Sequence, residues 1–439
     1  MENNEATINA AFAPTSPTSG IQEAIDALGE RGGSVRIPAG EWPLRRSIVL
    51  SSQVQLAGDG PATRLTVAPP KILRLARDAR KGSRSVHVRS RVPFSPGDRV
   101  AVIDNKRQWW LATHAVVTAV EGRRVRLSEP LVYGIKVEQE ARLVSVFPGI
   151  TTPGTGLFDW GTVQRGLTKL FGDAPSVKRR QRIYDVVVRD LALHGANGSV
   201  AEHYGDFTLS AVHLVHCHRA RITNVSVFDW LSDGISIQGG DDVQVTHSQV
   251  RGNSCNGFHP GGGLKRSIWS HNVGVGNNSC GLFVCGLVCD SVISDNVFSG
   301  NGTGIGGLGY ADCHHNVIAN NICSENGHSG IINDDTAGHL ISGDELRRLR
   351  GGYLITGNML RNNSQKEPGV HAALRLHNAQ RFLVQGNRCT DDQARPTQRR
   401  GIVESGDSDW NLISGNLCVG MEEPVTVVGA NSRAEGNLG

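Results

Sequence analysis

The sequence predicts an all-β solenoid, a right-handed parallel β-helix in which short strands stack as successive rungs. Three observations predict this fold: similar segments recur about every 23 to 25 residues, each carries an apolar residue at one constant place, and most carry an asparagine at a second. Repeats of roughly 20 to 50 residues are typical of solenoids. The length of 439 residues also suits a solenoid, because its core grows lengthwise.

The apolar residues indicate the register between rungs. Rungs begin near Ala220, Val243, Ser267, Ser291 and Asn316, and each contains a short alternating strand that usually includes a glycine. When such strands stack in parallel, one residue of each points into the interior. The predicted interior column comprises Ile235, Phe258, Leu282, Ile305, Ile331 and Leu374.

The asparagines support the same register. Asparagine tolerates the left-handed backbone of a sharp corner, and stacked side-chain amides hydrogen-bond from rung to rung. Such ladders stabilise a β-helix and seldom catalyse. The predicted ladder comprises Asn272, Asn296, Asn321, Asn358, Asn387 and Asn416. Its longer gaps predict loop insertions near 343–352 and 363–371, and insertions of this kind commonly border a binding groove.

The chain divides into four predicted segments. These are a polar tail (1–19), an N-terminal cap with the first rungs (20–71), an inserted antiparallel β-module (72–148) and the main β-helix (149–439). Apolar residues spaced three and four apart from Ile21 to Leu28 predict a short amphipathic helix in the cap. A helix there covers the open end of the solenoid.

Composition narrows the class of protein. The 54 glycines and only 5% aromatic residues indicate frequent turns and an aliphatic core. The net charge of +4 permits an acidic ligand. Nucleic acid is not an expected partner, because no recognition-helix, zinc-finger or stacking motif accompanies the charge. The nine cysteines lack metal-ligand spacing, and we interpret them mainly as core residues.

No apolar stretch predicts a signal peptide or a membrane span. We therefore expect no membrane partner and a soluble protein. It is either cytoplasmic or secreted with its leader absent from this sequence.

With its rungs laid out, the chain resembles the pectate-lyase-like superfamily of right-handed parallel β-helix proteins over nearly its whole length. The resemblance is carried by the opening helix, by the segment from Gly32 to Trp42, and by the rungs rich in glycine and asparagine. It implies a carbohydrate-active protein. That fold hosts polysaccharide lyases, glycoside hydrolases, uronate epimerases, fructan transglycosylases and phage tailspikes.

The sub-family is left open by two departures. Alginate epimerases carry an Asp-Pro-His-Glu motif, whereas His259 here stands in Phe-His-Pro-Gly-Gly-Gly without a neighbouring carboxylate. Pectin hydrolases carry paired Asp and a Gly-His-Gly segment; Asp241 and Asp242 form a pair, but no such histidine segment follows. The catalytic residues of neither sub-family therefore transfer to this chain.

Candidate site residues lie on the outer face of the stacked strands or at strand ends. The predicted register places His259, Phe283, Ile332 and Arg375 outward. Neighbouring rungs lie about 4.8 Å apart, so residues of several rungs can contact one sugar ring. The candidate catalytic residues are His259, Asp233, Asp312, Asp334 and Asp335. The candidate substrate-binding residues are Lys265, Arg266, Arg375, His371, His377 and Asp242.

The leading prediction is a polysaccharide lyase acting by β-elimination on uronate-containing chains. Elimination needs a base for the proton beside the carboxylate, and positive charge or a metal to acidify that proton. We expect His259, with Lys265 and Arg266, to supply both.

Two alternatives remain open. Two Asp carboxylates would serve a glycoside hydrolase or an intramolecular transglycosylase. A non-catalytic carbohydrate-binding or tailspike-like adhesin would use the same polar column only to hold its ligand. The expected partner in every case is a polysaccharide or oligosaccharide, and a homo-oligomer, a trimer included, is possible. No cofactor is certain, although Asp241 and Asp242 make Ca²⁺ possible.

Overall fold

The chain winds into a parallel β-helix whose strands form three ladders, with a small antiparallel sheet beside it. The structure, a computed structural model, describes residues 6–106, 112–153, 182–196, 198, 207–309, 313–334 and 351–439. Strands are numbered β1 to β39 along the chain over these residues. One continuous apolar core extends from Ala10 to Met421 along the solenoid.

A short helix, α1 (Ile21–Leu28), covers the N-terminal end. Its buried face is formed by the apolar residues that sequence analysis placed there, and it ends at Gly29, where φ is 64°. This confirms the predicted helix. Single 3₁₀ turns occur at Gly29–Arg31, Gly60–Ala62, Val137–Gln139 and Phe207–Leu209.

The first ladder forms the face that carries the candidate site. Its strands are β4 (Ile48–Val49), β13 (Ile150–Thr151), β16 (Val212–His218), β18 (Ile235–Asp241), β21 (Phe258–Gly261), β24 (Cys280–Phe283), β27 (Thr303–Gly306), β30 (Ile331–Asn333), β33 (Ala372–His377), β36 (Arg400–Ser405) and β38 (Glu423–Thr426), with β14 (Ile183–Tyr184) beside β16.

The second ladder runs the length of the solenoid. Its strands are β1 (Thr7–Asn9), β2 (Gly33–Ile37), β5 (Val54–Gly58), β15 (Val187–His194), β17 (Arg221–Phe228), β19 (Gln244–Thr246), β22 (Ile268–Ser270), β25 (Val292–Ser294), β28 (Val317–Ala319), β31 (Leu354–Thr356), β34 (Leu383–Gln385), β37 (Leu412–Ser414) and β39 (Arg433–Glu435).

The third ladder shares the long strands β15 and β17 with the second. Its other strands are β3 (Gly40–Leu44), β6 (Thr63–Val67), β20 (Gln249–Arg251), β23 (Val273–Val275), β26 (Val297–Ser299), β29 (Ile322–Ser324), β32 (Met359–Arg361) and β35 (Arg388–Thr390).

The antiparallel sheet confirms the predicted module. Its strands are β7 (Ile72–Arg74), β8 (Ser85–His87), β9 (Arg99–Ile103), β10 (Thr113–Glu121), β11 (Arg124–Leu127) and β12 (Arg142–Ser145). They lie in the order β7-β12-β9-β10-β11-β8 and enclose an apolar cluster of their own. The alternating residues that predicted hairpins therefore fold as a unit with a separate core.

The predicted interior column is confirmed at every step. Ile235 pairs with Phe258, and the pairing continues through Leu282, Ile305 and Ile331 to Leu374. All six side chains are fully buried. Segments about two dozen residues apart in the chain therefore lie directly on one another.

The predicted asparagine ladder is confirmed as a hydrogen-bonded stack, but its members do not adopt the left-handed corner conformation expected of them. The positive φ falls one residue earlier, for example at His271, Asp295 and Asn320. Each side-chain oxygen accepts the backbone N–H of the ladder residue on the rung before, at 2.9 to 3.1 Å. A second ladder, which sequence analysis missed, lies beside the first, and its members from Asn277 to Asn363 each follow a member of the first ladder by five residues. It comprises Asn253, Asn277, Asn301, Asn326, Asn363 and Gln398.

The polar N-terminal segment is more ordered than its composition suggested. Thr7–Asn9 form β1, which pairs in parallel with Ser34–Arg36 of β2. This segment therefore contributes a strand to the first rung. Among the described residues, no helix combines the length and apolar character that crossing a membrane requires.

Candidate functional site

Two predicted catalytic residues meet on the first ladder. Asp233 stands just before β18, and His259 lies in β21, where it pairs with Ser236 of the rung before. The His259 Nδ1 atom lies 2.6 Å from Asp233 Oδ2, and the two side chains are only 5% and 1% exposed. The other carboxylate oxygen accepts the Asn256 N–H at 2.8 Å and the Asn256 side-chain amide at 3.0 Å.

The environment of Asp233 favours its ionised form. Burial opposes ionisation, but the adjacent His259 charge and the hydrogen bonds from His259 and Asn256 lower the Asp233 pKa below its usual value. Because an ionised Asp233 has no proton to donate, it accepts a hydrogen bond from His259 Nδ1–H, and this bond orients the ring. The Nε2 atom, on the opposite side of the imidazole, is then the basic nitrogen.

Buried polar side chains surround this pair on the outer face of the ladder. Ser236 and Gln238 are at most 1% exposed. The Gln238 amide donates to Ser236 Oγ at 2.9 Å, while Gln238 Oε1 accepts no hydrogen bond within the described residues. An unsatisfied buried acceptor costs about 1–3 kcal/mol.

The basic residues predicted beside His259 lie elsewhere. Arg266 binds Asp241 at 2.7 Å and Asp242 at 2.8 Å, at the C-terminal end of β18. β18 separates this corner, which begins at its last residue Asp241, from Asp233, which precedes its first residue Ile235. The Arg266 guanidinium neutralises two corner carboxylates at the other end of β18 from Asp233, and its assistance to His259 stays a prediction.

The same corner bears on two other predictions and contains one residue that was not predicted. Lys265 lies there, in backbone bridges with Asp241 and Cys289. Because Asp242 and Asp241 both direct oxygens at Arg266, the geometry lends the Ca²⁺ expectation no support. Sequence analysis missed His218, which hydrogen-bonds Asp241 and stacks on Tyr184 with ring centroids 5.0 Å apart.

Among the described residues, the remaining carboxylate candidate is Asp334, which lies far from Asp233. Asp334 directly follows β30, and four rung steps separate that strand from β18. Four steps correspond to about 19 Å, whereas hydrolysis requires roughly 5 to 9.5 Å between carboxyl groups. The predicted candidates Asp312 and Asp335 lie outside the described residues.

Two substrate-binding candidates lie in β33. Arg375 stacks between Ile332 and a residue of β36, half-buried on the outer face as predicted. His377 hydrogen-bonds Ser405 at 3.1 Å on the next rung. Both lie far from the Asp233–His259 pair, because β33 is five rung steps from β18.

The third candidate, His371, belongs to a separate cluster. His371 Nε2 lies 2.6 Å from Glu367 Oε2, and its ring lies 4.7 Å from that of His328. Possible ligand atoms of the three residues all fall within 4.8 Å of one another. Within the described part of the chain, this is the one group of three or more His, Cys, Asp or Glu side chains near enough to share an ion.

Charges within the cluster shift two pKa values. Burial and the nearby positive charges of His371 and Lys366 lower the pKa of His328. The hydrogen bond and charge of His371 lower the pKa of Glu367. Sequence analysis missed His328 and Glu367, although His328 and His371 each stand three residues before an interior-column residue.

The cysteines have the structural role predicted for them. All nine are free, and eight are buried. Burial raises the pKa of Cys280 and of Cys217 to about 12. These thiols stay protonated at neutral pH and pack as small apolar side chains.

Comparisons with known proteins agree with this architecture. A family model described as "Right handed beta helix region" matches residues 210–346. A second, described as "Periplasmic copper-binding protein (NosD)", matches residues 293–437. Each covers less than half of the chain. No curated protein matches it.

Solved structures extend the likeness over the whole chain. The A-module of the Azotobacter vinelandii mannuronan C-5 epimerase AlgE6 superposes with a TM-score of 0.57 at 16% identity, covering 98% of this chain and 97% of that one. The A-module of AlgE4 from the same organism superposes with a TM-score of 0.56 at 16% identity, covering 98% of this chain and 100% of that one. At this identity the likeness concerns the fold, and the chain is a right-handed parallel β-helix as predicted.

Proposed function

We propose that the protein is a carbohydrate-active enzyme that removes the proton beside the carboxylate of a uronate residue in a polysaccharide. His259 is the base, and Asp233 is the positioning residue that orients it. The observation that carries this proposal is the 2.6 Å hydrogen bond between His259 Nδ1 and Asp233 Oδ2 in a buried polar patch. A base oriented by a buried carboxylate is suited to abstracting a weakly acidic proton.

The reaction we propose first is β-elimination. His259 Nε2 takes the proton on C5, the released electron pair forms the C4=C5 double bond, and the bond from C4 to the bridging oxygen breaks. The departing sugar oxygen gains a proton from water, and His259 releases the C5 proton to water, which regenerates the base. The products are a shortened chain and an unsaturated uronate at the new end.

The same first step serves a second outcome, C5 epimerisation. If the C4–O bond stays intact and a proton returns to the opposite face of C5, the uronate is inverted and the chain is not cut. The two superposed structures with TM-scores of 0.57 and 0.56 carry the name mannuronan C-5 epimerase, so both products should be measured.

Two further features support a polar sugar as ligand. Gln238 Oε1 is a buried acceptor suited to a hydroxyl, and Ser236 adjoins it. The net charge of +4 favours an anionic polymer.

Hydrolysis by the predicted Asp pair has less support. A general acid must hold a proton at the working pH, whereas the lowered pKa of Asp233 keeps it ionised. The separation of about 19 Å between the rungs of Asp233 and Asp334 also exceeds what either hydrolytic geometry uses.

The test incubates the protein with a panel of uronate polymers in D₂O. Ultraviolet absorbance detects unsaturated ends, and NMR detects deuterium on C5 of inverted residues. We expect His259→Gln and Asp233→Asn to lower turnover by about 10²–10⁴-fold, the usual contribution of an oriented base. Asp334→Asn, with a half-buried carboxyl on a distant rung, is the matched control and should keep full activity.

Thermal melting of each variant separates catalysis from stability, because a buried pair also ties neighbouring rungs together. The proposal fails if no uronate polymer gains unsaturated or inverted residues, or if His259→Gln turns over like the parent. Reducing sugar released from neutral glycans, with loss in Asp334→Asn, would favour the two-carboxylate mechanism instead.

A further inference from the structure

We propose that His328, Glu367 and His371 bind one divalent transition-metal ion at the edge of the first ladder. This cluster lies about four rungs, roughly 19 Å, from the Asp233–His259 pair. The inference is independent of the proposed enzymatic reaction, because none of its three residues contacts that pair.

The register of the solenoid brings the two histidines together. Ile331 pairs with Leu374, and the histidines stand three residues before these partners, at 328 and 371. They therefore occupy the same column on adjacent rungs, with ring centroids 4.7 Å apart. Glu367 lies on the turn that leads into His371 and points its carboxylate at that ring.

Backbone hydrogen bonds hold this turn before any metal arrives. The Ser364 N–H donates to the His328 carbonyl at 2.7 Å, and the Lys366 N–H donates to the Gly327 carbonyl at 2.9 Å. Ser364 Oγ accepts the His371 N–H at 3.1 Å and donates to the Glu367 carbonyl at 2.5 Å. The chain segments that carry the three ligands are thus fixed to one another, which limits the entropy that binding must remove.

The distances suit coordination after small side-chain rotations. The ligand atoms lie within 4.8 Å of one another. A tetrahedral site with bonds near 2.0–2.1 Å spaces its ligands at roughly 3.3 Å. Metal binding therefore requires the Glu367 and His371 ligand atoms, now 2.6 Å apart, to move slightly apart. The His328 ring must also move towards them.

The donor set selects the class of metal. Two imidazoles and one carboxylate suit zinc, copper, nickel, cobalt or iron, whereas calcium and magnesium prefer sites built from oxygen. Three protein ligands leave a fourth position for water or for an anionic oxygen of a ligand. Glu367 is 57% exposed and His371 18%, so that position is accessible to solvent.

The simplest alternative is an ordinary surface ion pair between Glu367 and His371, four residues apart. Such a pair does not need His328. Replacing His328 therefore distinguishes a metal site from an ion pair.

The experiment titrates Zn²⁺ into the full chain, without a polyhistidine tag and after chelator treatment, by isothermal calorimetry. We expect one ion per chain at this site. His328→Ala, His371→Ala and Glu367→Gln should each weaken binding by about 10–100-fold or more, since even losing an outer-shell partner has that effect. His377→Ala, on the same ladder but hydrogen-bonded to Ser405, is the matched control and should bind Zn²⁺ like the parent.

A spectroscopic readout identifies the ligands directly. Cu²⁺ bound to the parent should show nitrogen hyperfine structure from two imidazoles, and His371→Ala should show one. Glu367→Gln removes a largely exposed charge, so in the presence of chelator this variant should melt at the same temperature as the parent. Zn²⁺ should raise the melting temperature of the parent but not that of the variant. The proposal is overturned if Zn²⁺, Co²⁺ and Cu²⁺ all fail to bind, or if all three variants bind them like the parent.

Discussion

Asp233 and His259 are 26 positions apart in the chain, yet their side chains share a 2.6 Å hydrogen bond. They meet because one rung occupies 23 residues here, as the pairing of Ile235 with Phe258 shows. The solenoid thus converts a sequence spacing of about one rung into direct contact. The same stacking of rungs brings together the other polar clusters on this face. The following predictions test contacts that depend on it.

Removing the carboxylate of this pair should destabilise the solenoid. Asp233→Ala leaves the buried His259 without its charge partner and the Asn256 donors without their acceptor. Breaking a buried pair in this way costs about 3–5 kcal/mol. Asp233→Asn should lower the free energy of unfolding clearly less, because the amide oxygen of asparagine still accepts hydrogen bonds. Urea denaturation of both variants measures the difference, and equal losses would contradict the assigned hydrogen bonds.

The second asparagine ladder should contribute more to stability than its exposed neighbours. Asn277 is 1% exposed, donates to Asn301 at 2.8 Å and accepts from Asn253 at 2.8 Å. Asn277→Ala leaves buried donors and acceptors unsatisfied, so we expect a loss of about 2–4 kcal/mol. Asn278→Ala, exposed and adjacent, should stay within about 0.5 kcal/mol of the parent. Denaturation curves that overlap for the two variants would refute a stabilising ladder.

Two glycines with positive φ should differ sharply in their tolerance of a side chain. At Gly240, where φ is 103°, an added Cβ would lie 1.8 Å from the Cys217 carbonyl oxygen, whereas at Gly276, where φ is 66°, it would meet nothing within 4 Å. Gly276→Ala should lower the free energy of unfolding only by the strain of a left-handed backbone at alanine, about 1–2 kcal/mol. Gly240→Ala should cost about 3 kcal/mol or more, because backbone atoms must also move. Melting temperatures decide the comparison, and a milder effect at Gly240 would be inconsistent with the close approach.

Acid should remove the stabilisation provided by the corner at Asp241. Burial opposes its ionisation, but the hydrogen bonds and charges of His218 and Arg266 lower its pKa below the ordinary value of 3.8. When folding lowers the pKa of a carboxyl group, that group stabilises the folded protein fully at any pH above its pKa in the unfolded state. This stabilisation is lost as the pH falls through its pKa in the folded state. The difference in melting temperature between parent and Asp241→Asn should therefore be constant above about pH 5 and shrink below about pH 4. If the difference in melting temperature instead grew on acidification, folding would raise the pKa of Asp241, contrary to this prediction.

Local spacing was enough to predict the architecture. The interior column from Ile235 to Leu374 and the ladder from Asn272 to Asn416 could be read from the chain, because each rung must repeat both its buried residue and its corner. The second ladder was also visible in principle. Asn277, Asn301 and Asn326 each follow a member of the first ladder by five residues.

The site was predicted less completely. Asp233 and His259 were both among the candidates, but His259 was matched with Lys265 and Arg266, which are near in sequence and far along the strand. His371 was chosen without its neighbours, because His328 precedes it by 43 residues and a long insertion hides their common column.

The amino-acid sequence by itself determined the repeat, its register and the inward face of each strand, since these follow from side-chain alternation and from the steric demands of corners. Only the tertiary structure decided which polar side chains meet. Partners across rungs depend on rotamers, on the ends of strands and on the lengths of insertions, and none of these is repeated along the chain. The contacts of Asp233 with His259, of Arg266 with Asp242, and of His371 with His328 therefore belong to the folded solenoid.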